Sequence, residues 1–128
     1  MKIDIPVICA DVALSEYDER LSPAVIKVWV NPTRQFMRER DEMIAGISSM
    51  KTAENPVTEE VLEPFNNAMM DWYARLWSKG ADPETHWTAD EVRVLNETDP
   101  SLFHWLLTRS GQVMREHREN EKKNFVTP

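Results

Sequence analysis

Cysteine occurs once, at Cys9, and glycine only three times in a chain of 128 residues. A single thiol forms no intrachain disulfide and builds no cysteine-rich zinc module. Its place in an apolar, strand-like run reads as an inert buried thiol rather than a nucleophile. Gly46, Gly80 and Gly111 stand apart from one another, so no glycine-rich phosphate loop can be assembled. Apolar runs are short: none approaches the roughly 20 residues that span a bilayer. The segment Met1-Lys2-Ile3-Asp4-Ile5-Pro6 lacks the long apolar core of a signal peptide, so a soluble cytoplasmic protein is expected. Basic residues are also in deficit. Fifteen Lys and Arg face 22 Asp and Glu, a formal charge of −7, which disfavours nucleic-acid binding through overall charge. The expectation is a protein with no metal, no cofactor, no nucleic-acid partner and no membrane partner.

What the chain does have is five Trp and seven Met, a composition that fits one helix-rich domain with apolar side chains beyond the needs of a small core. The amino-terminal part reads as extended. In residues 2–7, Ile3, Ile5 and Val7 alternate with Lys2, Asp4 and Pro6, which predicts a strand, at an edge because proline cannot donate. Residues 24–30 make the best strand, with Ile26, Val28 and Val30 on one face and Val25, Lys27 and Trp29 on the other. The polar stretch 15–23 reads as the hairpin loop between them, with residues 12–14 able to prolong the first strand.

Helix signals begin at Asn31-Pro32, read as cap and first helical residue. Phe36, Met37, Met43, Ile44 and Ile47 share one face of that helix, with Arg40 in its midst as a snorkelling or ion-paired side chain. Residues 50–56 read as a linker. A second helix runs over 58–79, its main part starting at Pro64, and ends at Gly80 with Pro83 barring continuation. Leu62, Phe65, Met69, Trp72 and Leu76 make its stripe. Val61, Ala68, Met70, Tyr73 and Trp77 widen the apolar arc to about 200°, well beyond the ~100° of an ordinary surface helix. Trp87-Thr88-Ala89-Asp90-Glu91-Val92 has the form of a capping box with a hydrophobic staple and opens a helix to about residue 96. Asp99-Pro100 opens the last, carrying Leu102, Phe103, Leu106, Leu107, Val113 and Met114 on one arc and Trp105 off it. The fold expected is α+β, a small antiparallel hairpin on about four helices, as one domain: hairpin region 1–30, helical region 31–119 and flexible tail 120–128.

Candidates for chemistry are few. Asp82, Glu84 and His86 have oxygen-and-imidazole ligand types but also read as a loop before a cap. His117 lies on the last helix's apolar arc with Glu121 one turn on, the setting of a hydrogen-bonded core histidine; His104 projects elsewhere. Glu54, Glu59, Glu60 and Glu63 fit the acidic first turn of a helix. The helices opened at Thr88 and Asp99 have the outline of a helix-turn-helix, followed by Arg109, Arg115, Arg118, Lys122 and Lys123, but the last helix opens on Leu102, Phe103 and Trp105, where a recognition helix presents polar side chains. Catalytic, cofactor-binding and metal residues are therefore assigned to none. Trp105, with Met70 and Trp77, is assigned to a partner-binding or self-association surface, since large aromatics anchor interfaces.

Residues 25–36, Val-Ile-Lys-Val-Trp-Val-Asn-Pro-Thr-Arg-Gln-Phe, and 99–110, Asp-Pro-Ser-Leu-Phe-His-Trp-Leu-Leu-Thr-Arg-Ser, give the chain a pattern that resembles the tail assembly chaperones of phages and prophages with long non-contractile tails. In that group a strand ending in Asn-Pro passes into a helix and further helices follow. The resemblance covers about half of the chain and is one of general pattern. It implies a non-enzymatic protein-binding factor whose partners are the tape-measure and tail-tube proteins. It also implies a longer form made by ribosomal frameshifting, for which codons of Lys122-Lys123-Asn124 would supply the slippery run. The alternatives are a helix-turn-helix regulator and a small enzyme with an unrecognised site.

Overall fold

Val25–Trp29 forms a strand, as its β-branched and aromatic composition dictates. The computed structural model describes residues 3, 5–51, 58–79 and 87–126. The strand Val25–Trp29 is β2, and β1 is Cys9–Ala13; they pair antiparallel with Val12 opposite Ile26 and Cys9 opposite Trp29. Helices follow at α1 Arg34–Lys51, α2 Glu59–Ser78, α3 Ala89–Thr98 and α4 Pro100–Val126. The architecture is α+β, a two-stranded amino-terminal hairpin on four helices.

The first strand lies further along than the alternation of residues 2–7 predicts. Residues 2–7 have the clearer alternation, but it is Val12 of Cys9–Ala13 that sets its side chain into the core when the two strands pair. The connection is filled by two short 3-10 turns, Leu14–Glu16 and Glu19–Leu21, which consume the residues between the strands. Ladder bonding continues one step before β1, where Val30 N–H donates to the Ile8 carbonyl at 2.9 Å. Asn31 then takes over. Its Oδ1 accepts from Ile8 N–H at 2.8 Å and its Nδ2 donates to the Pro6 carbonyl at 2.9 Å. Asn31 is therefore a side-chain extension of the sheet and does not cap α1. The cap is Thr33, whose Oγ1 accepts from Phe36 N–H at 3.1 Å.

Helix α2 starts at Glu59, one turn earlier than Pro64 suggests. Thr58 Oγ1 accepts from Val61 N–H at 3.4 Å and its carbonyl from Leu62 N–H at 3.2 Å. Pro64 then falls inside the helix, where it removes the bond its N–H would have given to the Glu60 carbonyl near a helix end. The capping box at α3 forms as read: Glu91 N–H donates to Thr88 Oγ1 at 3.2 Å and Thr88 N–H to Glu91 Oε1 at 3.3 Å. Asp99 caps α4 through Oδ1 to Leu102 N–H at 3.1 Å. α4 continues to Val126, past the point near residue 119 at which a frayed tail is expected, and residues 118–123 of it are exposed. Gly80 and Pro83, Asp82, Glu84 and His86, Glu54 and residues 52–56 of the linker lie outside the described residues.

One core joins the layers. Val12, Ile26, Val28 and Val30 from the hairpin meet Trp72, Leu76 and Trp77 of α2, Val92 of α3, and Leu102, Phe103, Leu106, Val113 and Met114 of α4. Trp29, on the opposite strand face, is buried as well, beneath Phe36 at 5.0 Å between ring centroids and Lys79, whose Nζ lies 5.4 Å over the indole. α1 packs on α2 with Gly46 against Phe65; a Cβ at Gly46 would come within 2.7 Å of Phe65 Cε1. Among the described side chains of α1 only Phe36 is buried, and Ile44 is exposed.

Candidate functional site

The three side chains assigned to a partner surface have three different environments. Trp77 is 1% exposed, and its indole N–H donates to Ser110 Oγ at 3.0 Å inside the core. This corrects its assignment: the wide apolar arc of α2 exists because the hairpin, α3 and α4 cover that helix on several sides. Trp105 is half-buried and packs on Tyr17 with centroids 5.6 Å apart. The polar side of α4 is the side over which the hairpin loop folds, and Arg109 Nε fastens it there to Glu16 Oε2 at 3.2 Å. Met70 is half-buried in a cleft of about 710 Å³ between α2 and α3.

That cleft is lined by Glu59, Glu60, Glu63 and Glu97, with Asn66, Asn67 and Asn96 supplying amides. Its one cation among the described residues, Arg93, bridges the two helices through Asn67 Oδ1 at 2.6 Å and is held on its own helix by Asp90 Oδ1 at 2.8 Å. The acids read as a solvated first turn thus form one wall of a cleft, suited to basic or hydrogen-bonding groups.

The remaining candidates are placed as follows. Cys9 is partly buried and its Sγ–H donates to the Lys79 carbonyl at 2.8 Å; burial pushes the thiol above its ordinary range, away from nucleophilic character. His117 Nε2 lies 3.1 Å from Glu121 Oε1 but off the hydrogen-bonding direction. His104 is exposed beside the Phe103 ring. Among the described residues no group of three or more His, Cys, Asp or Glu is placed to hold a metal ion, and no helix is long and apolar enough to cross a membrane. Asp99 alone separates α3 from α4, where a helix-turn-helix has a turn of 3–4 residues, and Leu102 and Phe103 of the would-be recognition turn are buried.

Two features escape a reading of the sequence. The first is the run before β1. Ile3, Ile5 and Val7 are 77%, 76% and 47% exposed, and Ile8 is exposed beside them. Neither strand of the hairpin has a second neighbour among the described residues, so this run leads into an open sheet edge.

No family model, no curated protein and no solved structure matches this chain.

The second feature is a cavity of about 260 Å³ where α1, α2 and α4 meet, bordered by Arg40, Arg115 and Arg118. The Arg40 guanidinium lies 5.6 Å from the Trp72 ring centroid, so the cation in the apolar stripe is held over an aromatic face. Burial raises the neighbouring Tyr73 phenol above its ordinary value, with the Arg40 charge opposing the rise. Residue 40 and residues 115 and 118 are too far apart in sequence for any local spacing rule to join them.

Proposed function

We propose that this chain is a non-enzymatic protein-binding factor of phage tail assembly, acting in the cytoplasm of the bacterial host and holding a tape-measure or tail-tube protein before the tail assembles. The observation that carries the reading is the exposure of the apolar side chains of Ile3, Ile5 and Val7 just before an open sheet edge. Such a surface is costly to leave in water, about 25 cal/mol for each Å² of apolar area. A partner that lays an extended apolar segment beside it gains both that burial and main-chain hydrogen bonds. The pattern of residues 25–36 and 99–110, with its likeness to tail assembly chaperones, names the partner class.

The experiment is co-purification and calorimetric titration of the full chain with the tape-measure and tail-tube proteins encoded beside its gene. Association is expected with one of them, with less aggregation of that partner. Ile3→Asp/Ile5→Asp should weaken it at least about tenfold, roughly 1.4 kcal/mol, with an unchanged melting temperature. Absence of binding to either protein, or absence of tail genes from the neighbourhood, overturns the reading.

A further inference from the structure

Arg40, Arg115 and Arg118 border one small cavity in a protein whose net charge is −7. No carboxylate among the described residues lines that cavity. Arg115 and Arg118 make no ion pair or hydrogen bond with any described residue. Arg40 has a carboxylate neighbour in Asp41, but at 3.8 Å, beyond hydrogen-bonding range, and its buried Nε–H has no hydrogen-bond partner. Glu121 borders an adjoining cavity beyond Arg118, where it faces His117. Arg115 and Arg118 are exposed and Arg40 is half-buried; gathering like charges around one small space is unfavourable by itself and becomes favourable when an anion sits among them.

The walls narrow the choice of anion. Three guanidiniums offer more donors than the two oxygens of one carboxylate can use, whereas a phosphate monoester presents three terminal oxygens and nearly two negative charges. Trp72, Tyr73 and Leu107 supply an apolar wall for an organic body. The space lies below the roughly 300–1,000 Å³ of pockets for drug-sized ligands, so that body is small. Gly111 also lines the cavity, and a Cβ built there meets nothing within 4 Å. Glycine inside a helix costs about 1 kcal/mol relative to alanine. No neighbour requires it here.

We propose that this cavity is a binding site for a small organic phosphate monoester, its oxygens taken by Arg40, Arg115 and Arg118 and its organic part lying against Trp72, Tyr73 and Leu107. The site is independent of the tail-protein reading, which rests on residues 3–8.

The test is calorimetric titration of the full chain with phenyl phosphate, inorganic phosphate and benzyl alcohol. Phenyl phosphate should bind saturably at one site, inorganic phosphate at least about tenfold more weakly, and benzyl alcohol not at all. Arg115→Gln/Arg118→Gln should weaken phenyl phosphate at least about tenfold with a near-native melting temperature. Gly111→Leu should close the site while leaving thermal stability at or above that of the parent chain, which separates blocked binding from misfolding. No saturable binding of phenyl phosphate up to about 10 mM overturns the proposal. So does affinity unchanged in both the arginine variant and Gly111→Leu. Equal affinity for inorganic phosphate overturns the assignment of the apolar wall.

Discussion

Trp77 and Trp105 are the same side chain in two helices, and what differs is the neighbour that reaches each. Trp77 directs its N–H to Ser110 and lies wholly within the core. Trp77→Ala should cost about 3–5 kcal/mol in denaturant unfolding, the loss typical of a truncated core aromatic. Trp105 keeps part of its ring in water and packs on Tyr17. A double-mutant cycle of Tyr17→Ala and Trp105→Ala should give a coupling of about 0.5–1.5 kcal/mol. A coupling near zero would detach the hairpin loop from α4. At the other end of that loop, Arg20 donates both side-chain and backbone hydrogen bonds to Asp18, which hold its carboxyl at about 2, below its ordinary 3.8. A depressed carboxyl favours the folded state fully above the ordinary value and loses that contribution as pH falls from about 4 through about 2. Carbon-detected NMR titration should place the Asp18 midpoint near 2, and Arg20→Gln should move it upward.

Among the elements, the legible ones are those specified by residues a few positions apart. The Thr88 and Glu91 box and the Asp99-Pro100 start rest on contacts within one turn, and both form as read. Thr88→Ala should cost about 1 kcal/mol, measured by chemical denaturation. The position of β1 was not legible because residues 2–7 alternate while Cys9–Ala13 carries Asp11 as its one polar residue, and only pairing with β2 singles out the second stretch. Asn31 misled for a related reason: an Asn before Pro is a sound helix cap locally, yet its amide finds Pro6 and Ile8 more than twenty residues away. The arginine-lined cavity was invisible for the same cause, since α1 and α4 bring its members together. Residues 118–123 of α4 are exposed. A chain ended after Glu119 should therefore keep its melting temperature within about 2 °C while losing helical ellipticity.

At the scale of the molecule, a single core runs from Val12 to Met114, so no layer can leave without exposing the others. Unfolding followed by far-ultraviolet dichroism and by tryptophan fluorescence should give coincident midpoints; separated ones would mean that the hairpin melts alone. The Asn31 amide adds a mechanical property to this unit. Because it grips the chain at Pro6 and at Ile8 from the junction between β2 and α1, tension applied to the first residues is delivered to the root of the sheet and not to a loose end. A cargo attached to residues 3–8 would hang from a fixed mooring, held by the Asn31 amide at Pro6 and Ile8 and by the Val30 N–H at Ile8. Replacing Asn31 by Leu would remove both amide bonds and leave Ile8 held through the Val30 N–H, with Ile3, Ile5 and Val7 untouched.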